Sequence, residues 1–309
     1  MTEIYPGAPL PGGDRESVTA GIAAWLGSAA MTALFDAFGH RLPSGGPLGD
    51  RLAEAERFSI RWDYRNGLER HQAIGETFAP GLDALIRGTT AALGLADCAT
   101  PATDRYDHVL VLGGGIRTML ARANLAATVL SRGVAASTVA GLGSTRPLEG
   151  QEEIARELGL RPCPTEGDAV DEALRHEFGL GEPTGVEGGD GWWIRHHADA
   201  RPPVHVLAAP STRPGQRANT ADTFVGWAEL LPGAARGARL LLVTTDMFVP
   251  FQHCDAVRVL GLGYGAVIET IGFATATSRW VRPSRTFEVL QEVRSAIRSM
   301  QLLHDALPR

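Results

Sequence analysis

Residues 106–146 read YDHVLVLGGGIRTMLARANLAATVLSRGVAASTVAGLGSTR, and their spacing predicts a strand, a glycine turn, a helix and a second strand. The apolar run Val109, Leu110, Val111, Leu112 ends in Gly113, Gly114 and Gly115. Apolar residues then recur at helical spacing at Ile116, Leu120, Leu125, Val129 and Leu130. A β-branched run over 137–140 ends in a second polar turn, Gly141-Leu142-Gly143-Ser144-Thr145-Arg146. The two strands of such a βαβ unit are parallel, so both turns fall at carboxyl ends, where open α/β sheets bind their ligands.

Outward from this unit the pattern repeats. Residues 203–210, PVHVLAAP, read as a core strand that delivers a third polar turn, STRPGQRANTADTF over 211–224, into a helix through Trp227 and Leu231. Residues 240–243 form the next strand and carry Thr244, Thr245 and Asp246 to its end. A helix over about 250–260 holds Gln252, His253 and Arg258, with Pro250 suited to its first turn. A strand over 265–271 and an amphipathic helix over 286–307 close the chain. Between the second and third strands, helices are expected over 149–158 and from a Thr165 cap to Gly179. A loop over 181–191 follows, then GWWIRHHA (191–198) as an extra edge strand. The fold class expected is α/β, a Rossmann-like three-layer parallel sheet of about five strands, with residues 106–309 as the α/β domain and 1–105 as an N-terminal helical region.

In that first region, residues 1–14 read as a surface arm and Asp14 or Ser17 as the cap of a helix reaching about Phe38. HRLPSGGPLGD breaks it, and a short helix is expected over 50–56. The stretch from Phe58 predicts a turn and a long or kinked helix whose front is polar: Arg61, Asp63, Arg65, Glu69, Arg70 and His71. That run reads as a solvated face with ion pairs, or as a clamp for an anionic substrate.

Composition limits the function. The 309 residues carry 44% hydrophobic and 21% charged side chains, a net charge of −6 and a pI near 5.9, which argues against broad nucleic-acid binding. Cys98, Cys163 and Cys254 stand far apart without a CxxC pair, so reduced thiols and a cytoplasmic location are expected. No basic-then-apolar leader and no long uncharged apolar run predict a signal peptide or a membrane span.

Four turns therefore gather on one sheet edge, and they supply the candidate ligand-binding residues: Gly113, Gly114, Gly115, Arg117, Gly143, Ser144, Thr145, Arg146, Arg217, Asn219, Thr220, Thr223, Thr244, Thr245 and Gln252. Glycines let a backbone approach a ligand, a helix start favours an anion, and Arg213 adds positive charge. The plain alternatives are tight helix-on-strand packing for the glycines and N-capping for Asn219 and Thr220. His253, Asp246 and Glu153 are the candidates for proton transfer. The glycine spacing is not GxGxxG, and no acidic ribose partner stands at the end of the second strand. His196, His197 and His205 lack metal-site spacing, and no metal is expected. GxSxG and GxxxxGK[ST] are both absent.

Over residues 106–272, LVLGGG with Arg117 or Arg122, GLGSTR with Glu152 or Glu153, RANTADT and LLLVTTDMF together resemble the YdcF/SanA/ElyC-like family. That resemblance implies a Rossmann-like fold and a pocket, and leaves the reaction open. The chain departs from the family's pattern where a His and an Arg usually follow the last Val-Thr. It has Phe248 and Gln252 near those places, with His253 adjacent. The leading expectation is a cytoplasmic enzyme, a transferase or hydrolase, acting on a phosphorylated or nucleotide-like anionic molecule. Two rivals stand beside it: a non-catalytic sensor for a nucleotide or S-adenosylmethionine-like ligand, and a structural protein that uses its first hundred residues to bind a partner.

Overall fold

The computed structural model describes residues 5–12, 14–67, 73–96, 100–213 and 215–307. Glu69, Arg70 and His71 of the expected clamp, and Cys98, lie outside the described residues. Asp14 caps α1 (Arg15–Leu26) by accepting a hydrogen bond from the Ser17 N–H. The helix expected to run to Phe38 breaks at Gly27, where the Ser28 hydroxyl accepts from the Met31 N–H and starts α2 (Ala29–Ala37), bent by 42° from α1. α3 (Leu48–Ser59) is longer at both ends than the 50–56 expected. The long helix expected from Phe58 is instead a 3-10 turn, Ile60–Trp62, followed by α4 (Pro80–Thr90), with Pro80 in its first turn.

The expected βαβ unit is present: β1 (Arg105–Leu112), α5 (Ile116–Ser131) and β2 (Ala135–Ser144), with Val109 beside Val139 and Leu112 beside Leu142 in parallel register. α6 (Glu152–Glu157) and α7 (Glu166–Phe178) follow. Next come an antiparallel hairpin, β3 (Gly185–Gly189) and β4 (Trp192–His197), and then β5 (Val204–Ala209). The hairpin moves β4 one place inward: β3 is the edge strand, in a segment expected to be loop. α8 (Thr220–Leu230), β6 (Arg239–Thr245), α9 (Val249–Ala256), the single turn α10 (Leu262–Tyr264) and β7 (Val267–Phe273) complete a seven-stranded sheet of order β3-β4-β5-β2-β1-β6-β7. Its five strands β5, β2, β1, β6 and β7 are parallel, so the fold is the α/β class expected.

Alternation along the strands builds two apolar layers. Val109, Val111, Val139 and Val243 pack with Leu120 and Ala123 of α5 and Val170 of α7, while Leu110, Leu112, Leu207 and Leu242 pack with Phe224 and Trp227 of α8. α7 comes so close to β2 that a Cβ on Gly143 would lie 2.6 Å from the Gly167 Cα, so at this glycine tight packing is the decisive reason.

The last helix, α11 (Thr286–Asp305), packs on α9 and on α3, α4 and α1 of the N-terminal region. Leu290, Val293, Ile297 and Met300 share one buried cluster with Ile22, Trp25, Leu34, Phe35, Trp62 and Ile86. Met247, Phe248 and Cys254 extend that cluster to the exit of β6 and to α9. The N-terminal arm is also tied down: the Ala8 N–H donates to the Ala92 carbonyl at 2.8 Å, and the Pro11 carbonyl accepts from His253 at 2.8 Å. Among the described residues, no single helix is long and apolar enough to cross a membrane.

Candidate functional site

From β1 the chain steps outward through β2 to β5, then crosses back to place β6 on the other side of β1 and β7 beyond it. The reversal lies between β1 and β6, where crevices form at the carboxyl edge of such sheets. Gly113, Gly114 and Gly115 leave β1 at this point. Gly115 is the N-cap of α5 and offers no side-chain cap. The Gln151 Oε1 accepts from the Ile116 N–H at 2.9 Å. Among the described residues no acceptor meets the N–H groups of Gly114, Gly115, Arg117 or Thr118.

Arg122 is the cation at the centre of this edge, on the second turn of α5 and 1% exposed. Its Nη1 donates to the Leu112 carbonyl at 2.7 Å and to the Gly113 carbonyl, and its Nη2 donates to Thr245 Oγ1 at 3.1 Å. One guanidinium thus joins the ends of the two strands that flank the reversal, with the Phe248 ring 5.6 Å away. Beside it, Asp246 is buried and committed: Oδ1 accepts from the Met247 N–H at 2.7 Å, and Oδ2 from the Thr275 N–H at 2.9 Å and the Thr275 hydroxyl at 3.2 Å.

At the end of β2 the expected open arginine is already paired. Arg146 Nη2 donates to Glu166 Oε1 at 2.8 Å, and the buried Ser144 hydroxyl donates to Glu166 Oε2 at 2.6 Å. Glu166 is the residue that sequence reasoning missed. Read as a first-turn acid of α7, it reaches back to the strand end 22 residues earlier, because the Thr165–Asp168 capping box and the packing at Gly143 set α7 beside β2.

On the far side of the reversal, Thr244 donates to Gln252 Oε1, and Gln252 Nε2 donates to Thr220 Oγ1 at 3.1 Å, which joins β6, α9 and α8. Asn219 caps α8 in a reciprocal box with the buried Asp222, and Thr223 bonds back to the Thr220 carbonyl, so capping accounts for Asn219 and Thr223. Thr145 donates to the Gly191 carbonyl at 3.3 Å. Arg117 pairs with Glu157 at 3.2 Å in solvent, and Arg213 and Arg217 are exposed. Glu153, expected for proton transfer, is exposed and paired with Arg156 on α6.

His253, expected for proton transfer, is set away from solvent. It is buried between the arm and β7, with Nδ1 3.0 Å from Thr270 Oγ1 and Nε2 2.8 Å from the Pro11 carbonyl. A carbonyl only accepts, so Nε2 carries the proton and Nδ1 accepts from Thr270. Burial pushes the His253 pKa down, as it does for His108 and His205. Each therefore takes up its proton at a lower pH in the fold than in the unfolded chain, which does so below about pH 6.5. Stability is therefore expected to be level above that pH and to fall as pH drops below it. Urea denaturation between pH 7.5 and 5.5 should show this, with a shallower slope in His253→Asn; an unchanged slope in that variant would remove His253 from the effect.

Burial raises the Cys163 thiol to about 12 and raises that of Cys254 as well. His196 and His197 point to opposite faces of β4: one meets His205 at 2.9 Å, the other Asp171 at 3.0 Å. Among the described residues no three His, Cys, Asp or Glu side chains are set to hold a metal ion. A cavity of about 240 Å³ lies near the carboxyl end of α7, lined by Phe178, Thr184, His197 and Arg201, away from the carboxyl edge of the sheet.

The family model described as the Rv3785 N-terminal domain matches residues 10–94, the helical region up to the π turn after α4. The uncharacterized protein Rv3785 of Mycobacterium tuberculosis is 31% identical over 337 aligned positions, covering 97% of this chain and 92% of that protein. The chain belongs to the Rv3785 family. The uncharacterized protein Mb3814 of Mycobacterium bovis matches to the same extent, so the family is bacterial and extends across both the helical layer and the sheet. No solved structure matches the chain.

Proposed function

We propose that this protein binds a phosphorylated or nucleotide-like anionic small molecule at the carboxyl edge of its sheet, over the reversal between β1 and β6. One observation supports the reading above the others: the glycine turn opens the start of a 16-residue helix onto that reversal, and among the described residues an acceptor meets the Ile116 N–H but not those of Gly114, Gly115, Arg117 or Thr118. Partial positive charge at such a helix end favours an anion by roughly 0.3–1 kcal/mol where exposed, and more where water is excluded. The likeness to YdcF/SanA/ElyC-like proteins in LVLGGG and LLLVTTDMF agrees with a pocket here.

Binding is favoured over turnover because His253 is sealed, Glu153 faces solvent and Asp246 is held by Thr275 and Met247. A transferase or hydrolase at this edge would draw on Asp246 or Glu166 for proton transfer, and a nucleotide or S-adenosylmethionine-like ligand suits either role. The test is thermal unfolding with inorganic phosphate, ribonucleoside monophosphates and S-adenosylmethionine. A ligand at a hundred times its Kd stabilises the fold by about 2.7 kcal/mol. Gly114→Ala, checked for folding by circular dichroism, should reduce that gain, since its Cβ would lie 3.3 Å from Thr118 Cγ2 and 3.5 Å from Arg122 Nη1 and Thr118 Cβ. No response to any of these anions would overturn the reading and favour a partner-binding role.

A further inference from the structure

The cavity at the carboxyl end of α7 lies at the opposite edge of the sheet from the glycine turns, since His197 in its wall pairs with Val204, the first residue of β5. That wall holds an unused acceptor. His197 is 3% exposed, and its Nδ1 has no hydrogen-bond partner among the described residues. Nε2 is fixed by Asp171 Oδ1 at 3.0 Å, and Asp171 Oδ2 is held in turn by Arg195 Nη1 at 3.0 Å. A carboxylate only accepts, so in the neutral ring Nε2 carries the proton and Nδ1 presents a bare lone pair, made more basic by the carboxylate behind it. Leaving such an acceptor unfilled is costly.

The two nitrogens of an imidazole point in nearly opposite directions. Asp171 lies well before Phe178, the last residue of α7, so with Nε2 turned back along the helix, Nδ1 turns toward the helix end, where the cavity is. A Cβ on Gly179 or Gly181 would meet nothing within 4 Å, and these lining residues leave the space open. Phe178, Leu180 and Ala200 make part of the wall apolar. Charge at the rim is already spent or faces water: Glu182 pairs with Arg175 at 2.7 Å, Arg201 donates to the Ala198 and Ala200 carbonyls, and Asp199 is exposed. What remains inside is one acceptor and apolar contact. At roughly 30 Å³ per water, the volume of about 240 Å³ holds about eight waters or one small ring. We infer that this cavity is a binding site for a small neutral molecule of the phenol class, with its ring against Phe178 and Leu180 and its hydroxyl donating to His197 Nδ1. The site shares no residue with the carboxyl edge and stands independently of the anion reading.

The experiment titrates the full chain with phenol, anisole and benzoate, read by calorimetry and by proton–nitrogen NMR of the histidine rings. Phenol is expected to bind about fivefold more tightly than anisole, which keeps the ring but has no donor, the scale of one hydrogen bond to a buried acceptor. It should also move the Nδ1 resonance of His197 and leave that of His253 in place. His197→Gln, folded as judged by circular dichroism, should bring phenol and anisole within about twofold. Equal binding of the two by the wild-type protein overturns the inference, a comparison that needs no variant to fold. Tighter binding of benzoate than of phenol overturns it as well, because the ring would then be a cation that donates. Binding of none of the three assigns the cavity to water and removes the inference, with the anion reading untouched.

Discussion

A chain ending at Ser284, without α11, is expected to lose its helical layer. Leu290, Val293, Ile297, Met300 and Leu303 are each fully buried in the cluster that α11 shares with the N-terminal helices and α9. Burying such side chains stabilises a fold by about 1.5–3 kcal/mol apiece, so the five together approach the whole stability of an ordinary domain, about 5–15 kcal/mol. Polar ties fail with them: Gln291 Oε1 accepts from the Tyr64 N–H at 2.7 Å, and the buried Glu292 pairs with Arg65 at 2.7 Å. Limited proteolysis should then cut between residues 15 and 95, with helical circular dichroism reduced beyond the deleted segment. Protection of those residues in the truncated chain would show that the N-terminal helices form a core of their own. The single change Leu290→Ala should cost less, about 2–5 kcal/mol in urea denaturation.

α11 also shows where sequence reading stops. Its period marks one apolar face over 286–307, and that face is observed, but a period does not name the surface it meets. The helix packs on α9, nearby in the chain, and also on residues more than two hundred positions away, such as Tyr64. The βαβ core was legible because its apolar runs and glycine turns are local. β3 was not, because GVEGG has almost no strand propensity and is held by its pairing with β4. The break at Gly27-Ser28 was hidden by apolar residues that continue in helical period on both sides.

At the candidate site the same division holds. Residues at strand ends, from Gly113 to Thr245, were legible because topology alone brings parallel strand ends together. Glu166 and Arg122 were harder. One reads as a first-turn acid and the other as a helix-surface arginine, and only the packing of α7 and α5 against the sheet turns them inward. His253 failed in the opposite direction: a polar ring near a strand end invites a catalytic role, but the N-terminal arm, 242 residues away in the chain, covers it.

Replacing Arg122 is expected to be the most damaging single change in the sheet. Arg122→Ala strands the buried Leu112 carbonyl at the end of β1 and the buried Thr245 hydroxyl at the end of β6, together with the part-buried Gly113 carbonyl. Losing a buried charged partner of this kind costs about 3–5 kcal/mol. Arg122→Lys should recover only part of that, because one ammonium cannot direct separate N–H groups to carbonyls and hydroxyl along the plane that guanidinium provides. Nor should Arg122→Leu be neutral, since an apolar replacement needs apolar surroundings and backbone carbonyls cannot be exchanged for them. The urea midpoints should therefore rank wild type, Lys, then Leu and Ala, with similar slopes. If Arg122→Ala lost less than about 1 kcal/mol, the guanidinium would be a passenger rather than the clasp between β1 and β6. The lysine variant separates two roles. With the fold retained but the Gly113 carbonyl less firmly held, the glycine turn loses its fixed position, and the response to phosphate should weaken even where the protein remains folded.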